Sequence, residues 1–120
     1  MQYRFEKLKV WQQAREFCNS VYSITKSFPR DERFALIDQI RRAAVSIVLN
    51  IAEGSNRRSD PDFVRFLKIA QASLCETITA FYIALDQGYL GQADFNKLYE
   101  DSILLSSRIT ATIKSINRSA

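Results

Sequence analysis

With 120 residues, 47% of them hydrophobic, and only three glycines and two prolines, the chain has the composition of one loop-poor domain over residues 1–120, not of a disordered or multi-domain protein. Seventeen Lys and Arg against thirteen Asp and Glu leave a formal charge of +4, which suits an acidic partner without requiring one. There is no histidine, no apolar run near the roughly 20 residues of a membrane span and no apolar leader segment in MQYRFEKLKVWQQA, so histidine-based catalysis and membrane partners are excluded and a cytoplasmic location is expected.

Val10, Ala14, Phe17, Val21, Ile24 and Phe28 recur at steps of four and three and predict a first helix over about Leu8 to Ser27. Phe28-Pro29 closes it, because proline disfavours a helical residue before it. Asp31 is positioned to cap a second helix from about Glu32, which Gly54 stops before the polar turn Ser55 to Ser59. Ser59 or Asp60 followed by Pro61 restarts the chain. Phe63, Leu67, Ala70, Leu74, Thr77, Phe81 and Leu85 then line a third helix ended by Gly88. The last helix follows Gly91, with Asp94 near its start and Leu98, Ser102, Leu105, Ile109, Thr112 and Ile116 as its seam. No strand-like alternation competes. The fold class expected is all-α, an up-down-up-down antiparallel four-helix bundle. Cys18 and Cys75, far apart on core helices, read as buried reduced thiols.

The second helix organises the rest. Ile37, Ile40, Ala44, Ile47, Val48 and Ile51 form its core stripe, while Val45, Leu49 and Ala52 form a second apolar strip. A helix with two apolar faces needs two partners, and the second is either another helix of the chain or a neighbouring subunit. Between the strips runs a polar line of Gln39, Arg42, Ser46, Asn50 and Glu53. An antiparallel hairpin turning near Arg57 pairs residue i with about 115 minus i, so Glu76 falls beside Gln39 and Arg42. An Arg42–Glu76 ion pair is expected there, with Gln39 or Ser73 close by and Asn50 bonded to backbone.

Missing histidine removes the Ser and Cys triads and the Glu-x-x-His pairs of di-metal bundles. Glu53 and Glu76, the carboxylates expected at or near the interior, fall several turns apart, too far for joint acid and base work. The three glycines are isolated at helix ends, so no phosphate loop is present. No catalytic residue, metal ligand or cofactor site is expected, and an enzyme is not.

The segments FEKLKVWQQA, Phe28-Pro29, QIRRAAVSIVLNIAEG, DFVRFLKIAQASLCE and ALDQGYL together resemble the bacterial four-helix proteins called 23S rRNA intervening-sequence proteins. The most specific matches are Gln39, Arg42, Ala43, Ser46, Asn50, Ile51, Ala52, Glu53 and Gly54, then Ser73 and Glu76. The sequence departs at Ala35 and Ala72, where that family often has glycine. The resemblance implies a cytosolic homopentamer without enzymatic activity. It also implies kinship with the accessory proteins of diversity-generating retroelements, basic pentamers that work with a reverse transcriptase and its RNA.

In an up-and-down bundle the N-terminus, the second turn and the C-terminus share one end. Residues 1–17, 46–73 and 106–120 carry +2, +1 and +3, so that end holds +6, and the remaining segments carry +2 and −4, leaving the other end −2. Lys7, Lys9, Arg57, Arg58, Lys114 and Arg118 make most of the basic end. Solvated helix ends serving solubility would look the same. As a working surface, this end suits a homo-oligomeric scaffold holding structured RNA by phosphate contacts, with Arg57 and Arg58 mattering more than Arg30 and Arg33. The alternative is an adaptor whose basic surface meets a protein such as a reverse transcriptase. Val45, Leu49 and Ala52 are the candidate oligomer contacts.

Overall fold

The structure is a computed structural model and describes residues 3–119. Its helices are α1 (Lys9–Thr25), α2 (Leu36–Ser55), α3 (Asp60–Asp86) and α4 (Gln92–Ser119), with 3₁₀ turns at Arg4–Lys7 and Arg30–Glu32. Local chemistry sets the ends. Ser59 Oγ accepts the Asp62 N–H at 3.3 Å and Pro61 occupies the first turn of α3, as its sequence predicts. At the far end of α3, Gly88 takes φ +79°, while the Tyr89 and Gly88 N–H groups close back on the Ala84 and Leu85 carbonyls at 2.9 and 3.0 Å. That pair of bonds satisfies carbonyls the helix leaves orphaned.

The second helix starts later than expected. Asp31 lies inside the 3₁₀ turn, and Ala35 breaks the path with φ −125°, ψ −100°. The carboxylate that reaches the start of α2 is therefore that of Glu32, whose Oε1 accepts the Leu36 N–H at 3.3 Å. Gly54 does not stop the helix, which continues through Ser55. Its hydrogen faces α3, where a Cβ would lie 2.7 Å from Phe66 Cβ and 3.0 Å from Phe63 Cδ1. Gly54 is thus a close-approach position.

Among the described residues α1 packs on α2 and α4, and α3 packs on the same two, with no backbone approach within 8 Å across either diagonal. Side-chain bonds tie each neighbouring pair: Gln39 with Glu76 and Ser46 with Ser73, Gln71 with Thr110, Gln13 with Arg108, and Arg41 with Thr25. The result is the expected all-α four-helix bundle, 46 Å long and 23 Å across. One core runs through it. Val21, Ile40, Ile47, Ile51, Leu67, Phe81, Leu105 and Ile109 are fully buried, and the expected α2 stripe faces them, with Val48 only half-buried. Thr25 and Thr77 are buried too, each donating at 2.8 Å to the carbonyl one turn back, of Val21 and Ser73.

One cysteine lies elsewhere than expected. Cys18 is buried, and burial pushes its thiol pKa up. Cys75 is exposed, because the seam of α3 passes through Leu74 and Thr77 and turns residue 75 outward.

Candidate nucleic-acid interface

The two ends of the bundle are fastened differently. At one, the Tyr89 hydroxyl donates to Glu32 Oε2 at 2.7 Å, which raises the pKa of the phenol, and Phe28 packs against the rings of Phe81 and Tyr89. This joins the α1–α2 and α3–α4 connections. At the other, Arg4 donates to the Ser55 carbonyl at 3.2 Å and lies 5.3 Å over the Phe63 ring. The N-terminal segment, the α2–α3 turn and the end of α4 therefore share one end, and Lys7, Lys9, Arg57, Arg58, Lys114 and Arg118 are all exposed there.

These cations are not equivalent. Arg57 pairs with Glu53 at 2.6 Å and lies 4.8 Å over Phe66. Arg65 pairs with Asp62 at 3.4 Å and covers the same ring at 4.6 Å. Among the described residues, Lys7, Lys9, Arg58, Lys114 and Arg118 meet no carboxylate at ion-pair distance. Their charge is left to solvent or to a ligand.

Two arginines have work that residue patterns did not announce. Arg4 donates to the Ser55 carbonyl at the end of α2, and Arg41 donates near the end of α1 to the Thr25 hydroxyl at 2.9 Å and the Tyr22 carbonyl at 3.3 Å, with the Tyr22 ring beneath it at 4.6 Å. A cation at the negative end of a helix dipole is favourable there. The only sequence signal is that each faces the last turn of a neighbouring helix once the hairpin register is drawn.

The polar line forms in part as expected. Gln39 Nε2 donates to Glu76 Oε2 at 2.7 Å, the Ser46 and Ser73 hydroxyls share a bond at 2.9 Å, and Asn50 Nδ2 donates to the Ser46 carbonyl at 2.8 Å and its Oγ at 3.0 Å. The Arg42–Glu76 pair does not form. Arg42 instead binds Asp38 at 3.1 Å, one turn back on its own helix, with 79% of its side chain exposed. An i, i+4 partner orders less chain than a partner on the next helix, and here it wins. Glu53 and Glu76 are both exposed rather than interior, since the polar line rides the rim of the α2–α3 contact. Glu76→Ala should consequently lower stability by no more than about 1 kcal/mol. A urea melt checks this, and a loss of about 3 kcal/mol or more would mean that the carboxylate is buried after all.

Among the described residues the second apolar strip of α2 is only partly covered. Val45 and Ala52 are half-buried, Leu49 is 61% exposed, and Tyr3, 62% exposed, lines the same groove as Leu49 and Ala52. Among the described residues no cluster of three or more His, Cys, Asp or Glu side chains converges on a metal-sized site, and no helix is long and apolar enough to cross a membrane.

Residues 6–111 match the family described as 23S rRNA-intervening sequence protein. The fold is similar to the crystal structure of a protein of unknown function from the S23 ribosomal protein family of Bacteroides thetaiotaomicron VPI-5482, with a TM-score of 0.77 and 24% identity over 88% of this chain and 98% of that one. No curated protein matches the chain.

Proposed function

The chain belongs to the 23S rRNA-intervening sequence protein family, and we propose that it is a non-enzymatic, homo-oligomeric scaffold of the bacterial cytoplasm that holds structured RNA through phosphate contacts. One observation carries this reading: exposed cations without carboxylate partners among the described residues, Lys7, Lys9, Arg58, Lys114 and Arg118, gather at one end of a bundle whose other end is net acidic. Like charges held together repel one another, and a polyanion relieves that repulsion. Assembly multiplies the effect. The strip of Val45, Leu49 and Ala52, with Leu49 open to solvent, supports burial against a second copy, and a parallel ring of five would set five basic ends side by side.

Light scattering on the purified protein should give five times the chain mass, and a single-chain mass at micromolar concentration would return the α2 strip to ordinary surface. Gel retardation of a structured RNA at 50 mM salt tests the ligand. Retardation should persist in Arg30→Ala/Arg33→Ala, which alters the opposite end. The second reading, an adaptor for a protein such as a reverse transcriptase, is favoured by the exposed Tyr3 and Leu49 beside the basic end, and it predicts no RNA retardation by the protein alone.

A further inference from the structure

Past Asp101, the stretch from Ser102 to Ala120 carries Arg108, Lys114 and Arg118 with no Asp or Glu side chain. At about 100° per residue, Ser107, Arg108, Ala111, Lys114, Ser115 and Arg118 fall in one outward sector roughly 120° wide. All six are exposed. Beside them, Lys9 lines the groove between α1 and α4 that Arg108 also lines. Arg108 Nε donates to Gln13 Oε1 at 2.6 Å, a bond to a neutral amide that steadies the guanidinium without cancelling its charge. The α2–α3 turn contrasts with this face, because Arg57 and Arg65 are there held by Glu53 and Asp62.

We propose that this acid-free face of α4, with Lys9 at its edge, is the surface that takes the phosphate backbone of a double-stranded nucleic acid, an assignment that rests on the nucleic-acid reading above. Cations interleaved with the Ser107 and Ser115 hydroxyls suit phosphate and sugar oxygens. The face has no aromatic ring on which an unpaired base could stack, which sets it against single strands. From Arg108 to Arg118 the helix rises about 15 Å, the axial reach of about four successive phosphates on one duplex strand.

The test measures binding of the full chain to a labelled 20-base-pair RNA duplex, the matching DNA duplex and the single-stranded RNA. At 50 mM salt, Lys114→Gln/Arg118→Gln should weaken duplex binding by about tenfold or more and lower the salt slope by about two for each chain engaged. Arg57→Gln/Arg65→Gln should change it less than about threefold, since Glu53 and Asp62 already pair these two. Circular dichroism on each variant confirms that α4 stays helical. Equal losses from both pairs, no loss from the α4 pair, or preference for the single strand would overturn the assignment to this face while the nucleic-acid reading stands. Comparable binding of the two duplexes supports a phosphate-directed surface, and so does an RNA preference. Failure of the unaltered protein to bind any of the three at 50 mM salt overturns the nucleic-acid reading itself, and this assignment with it.

Discussion

Gly54→Ala should destabilise the bundle by about 1 to 3 kcal/mol, against the usual direction for such a change in a helix. Gly54 lies in α2 without a positive φ, so alanine there would ordinarily gain up to about 1 kcal/mol in helix propensity. Packing outweighs this gain. The added methyl would stand 2.7 Å from Phe66 Cβ, 3.0 Å from Phe63 Cδ1 and 3.3 Å from the Phe63 carbonyl oxygen. Phe66 Cβ is fixed to the α3 backbone, and Phe63 is buried, so neither can swing aside. Relief comes only by moving the start of α3 away from the end of α2, which loosens contacts around Ile51 and Leu67 at the same end of the core. Urea unfolding should show a lower midpoint with an unchanged slope, and the melting temperature should fall by about 4 °C for each kcal/mol lost. A gain in stability would show that α2 and α3 do not approach this closely.

That glycine also marks how far residue patterns reach. The seams of all four helices were legible because a 3.5-residue apolar repeat fixes which face is buried, and Ile40, Ile47, Leu67, Phe81, Leu105 and Ile109 lie in the core accordingly. Short connections left one topology, and with it the gathering of the basic residues at one end. What periodicity does not contain is the distance between two backbones. Gly54 before a polar turn reads as a stop, and only the path of α3 reveals that its missing side chain is the point. The same holds for side-chain partners. Arg42 pairs with the carboxylate on its own helix, Asp38, and Glu76 accepts from Gln39 instead. Counting charges likewise placed Arg57 and Lys114 on one footing, whereas the first is matched by Glu53 and the second has no carboxylate partner among the described residues.

The largest expected effect is that of salt on RNA affinity. Binding through phosphates releases condensed counterions, so the logarithm of affinity falls linearly with the logarithm of salt, with a slope set by the number of phosphates neutralised. One chain offers few free cations, and a single bundle would show a shallow slope. An assembly that sets several basic ends side by side can engage on the order of 6 to 10 phosphates, and its affinity should then drop by about 10³ to 10⁵ between 50 and 200 mM salt. Sequence preference should be weak, because lysine and arginine at helix ends contact backbone oxygens common to every sequence. The slope therefore reports on assembly as well as on chemistry. A variant that breaks the oligomer at Leu49, such as Leu49→Asp, should keep the fold, since that side chain is 61% exposed, yet reduce the salt slope toward the single-chain value. A steep slope that survives loss of the oligomer would show that one bundle alone engages the RNA. An affinity that changes less than about tenfold over the same salt range would remove phosphate contacts as the source of binding and leave the exposed Tyr3 and Leu49 surface, and so a protein partner, as the better account.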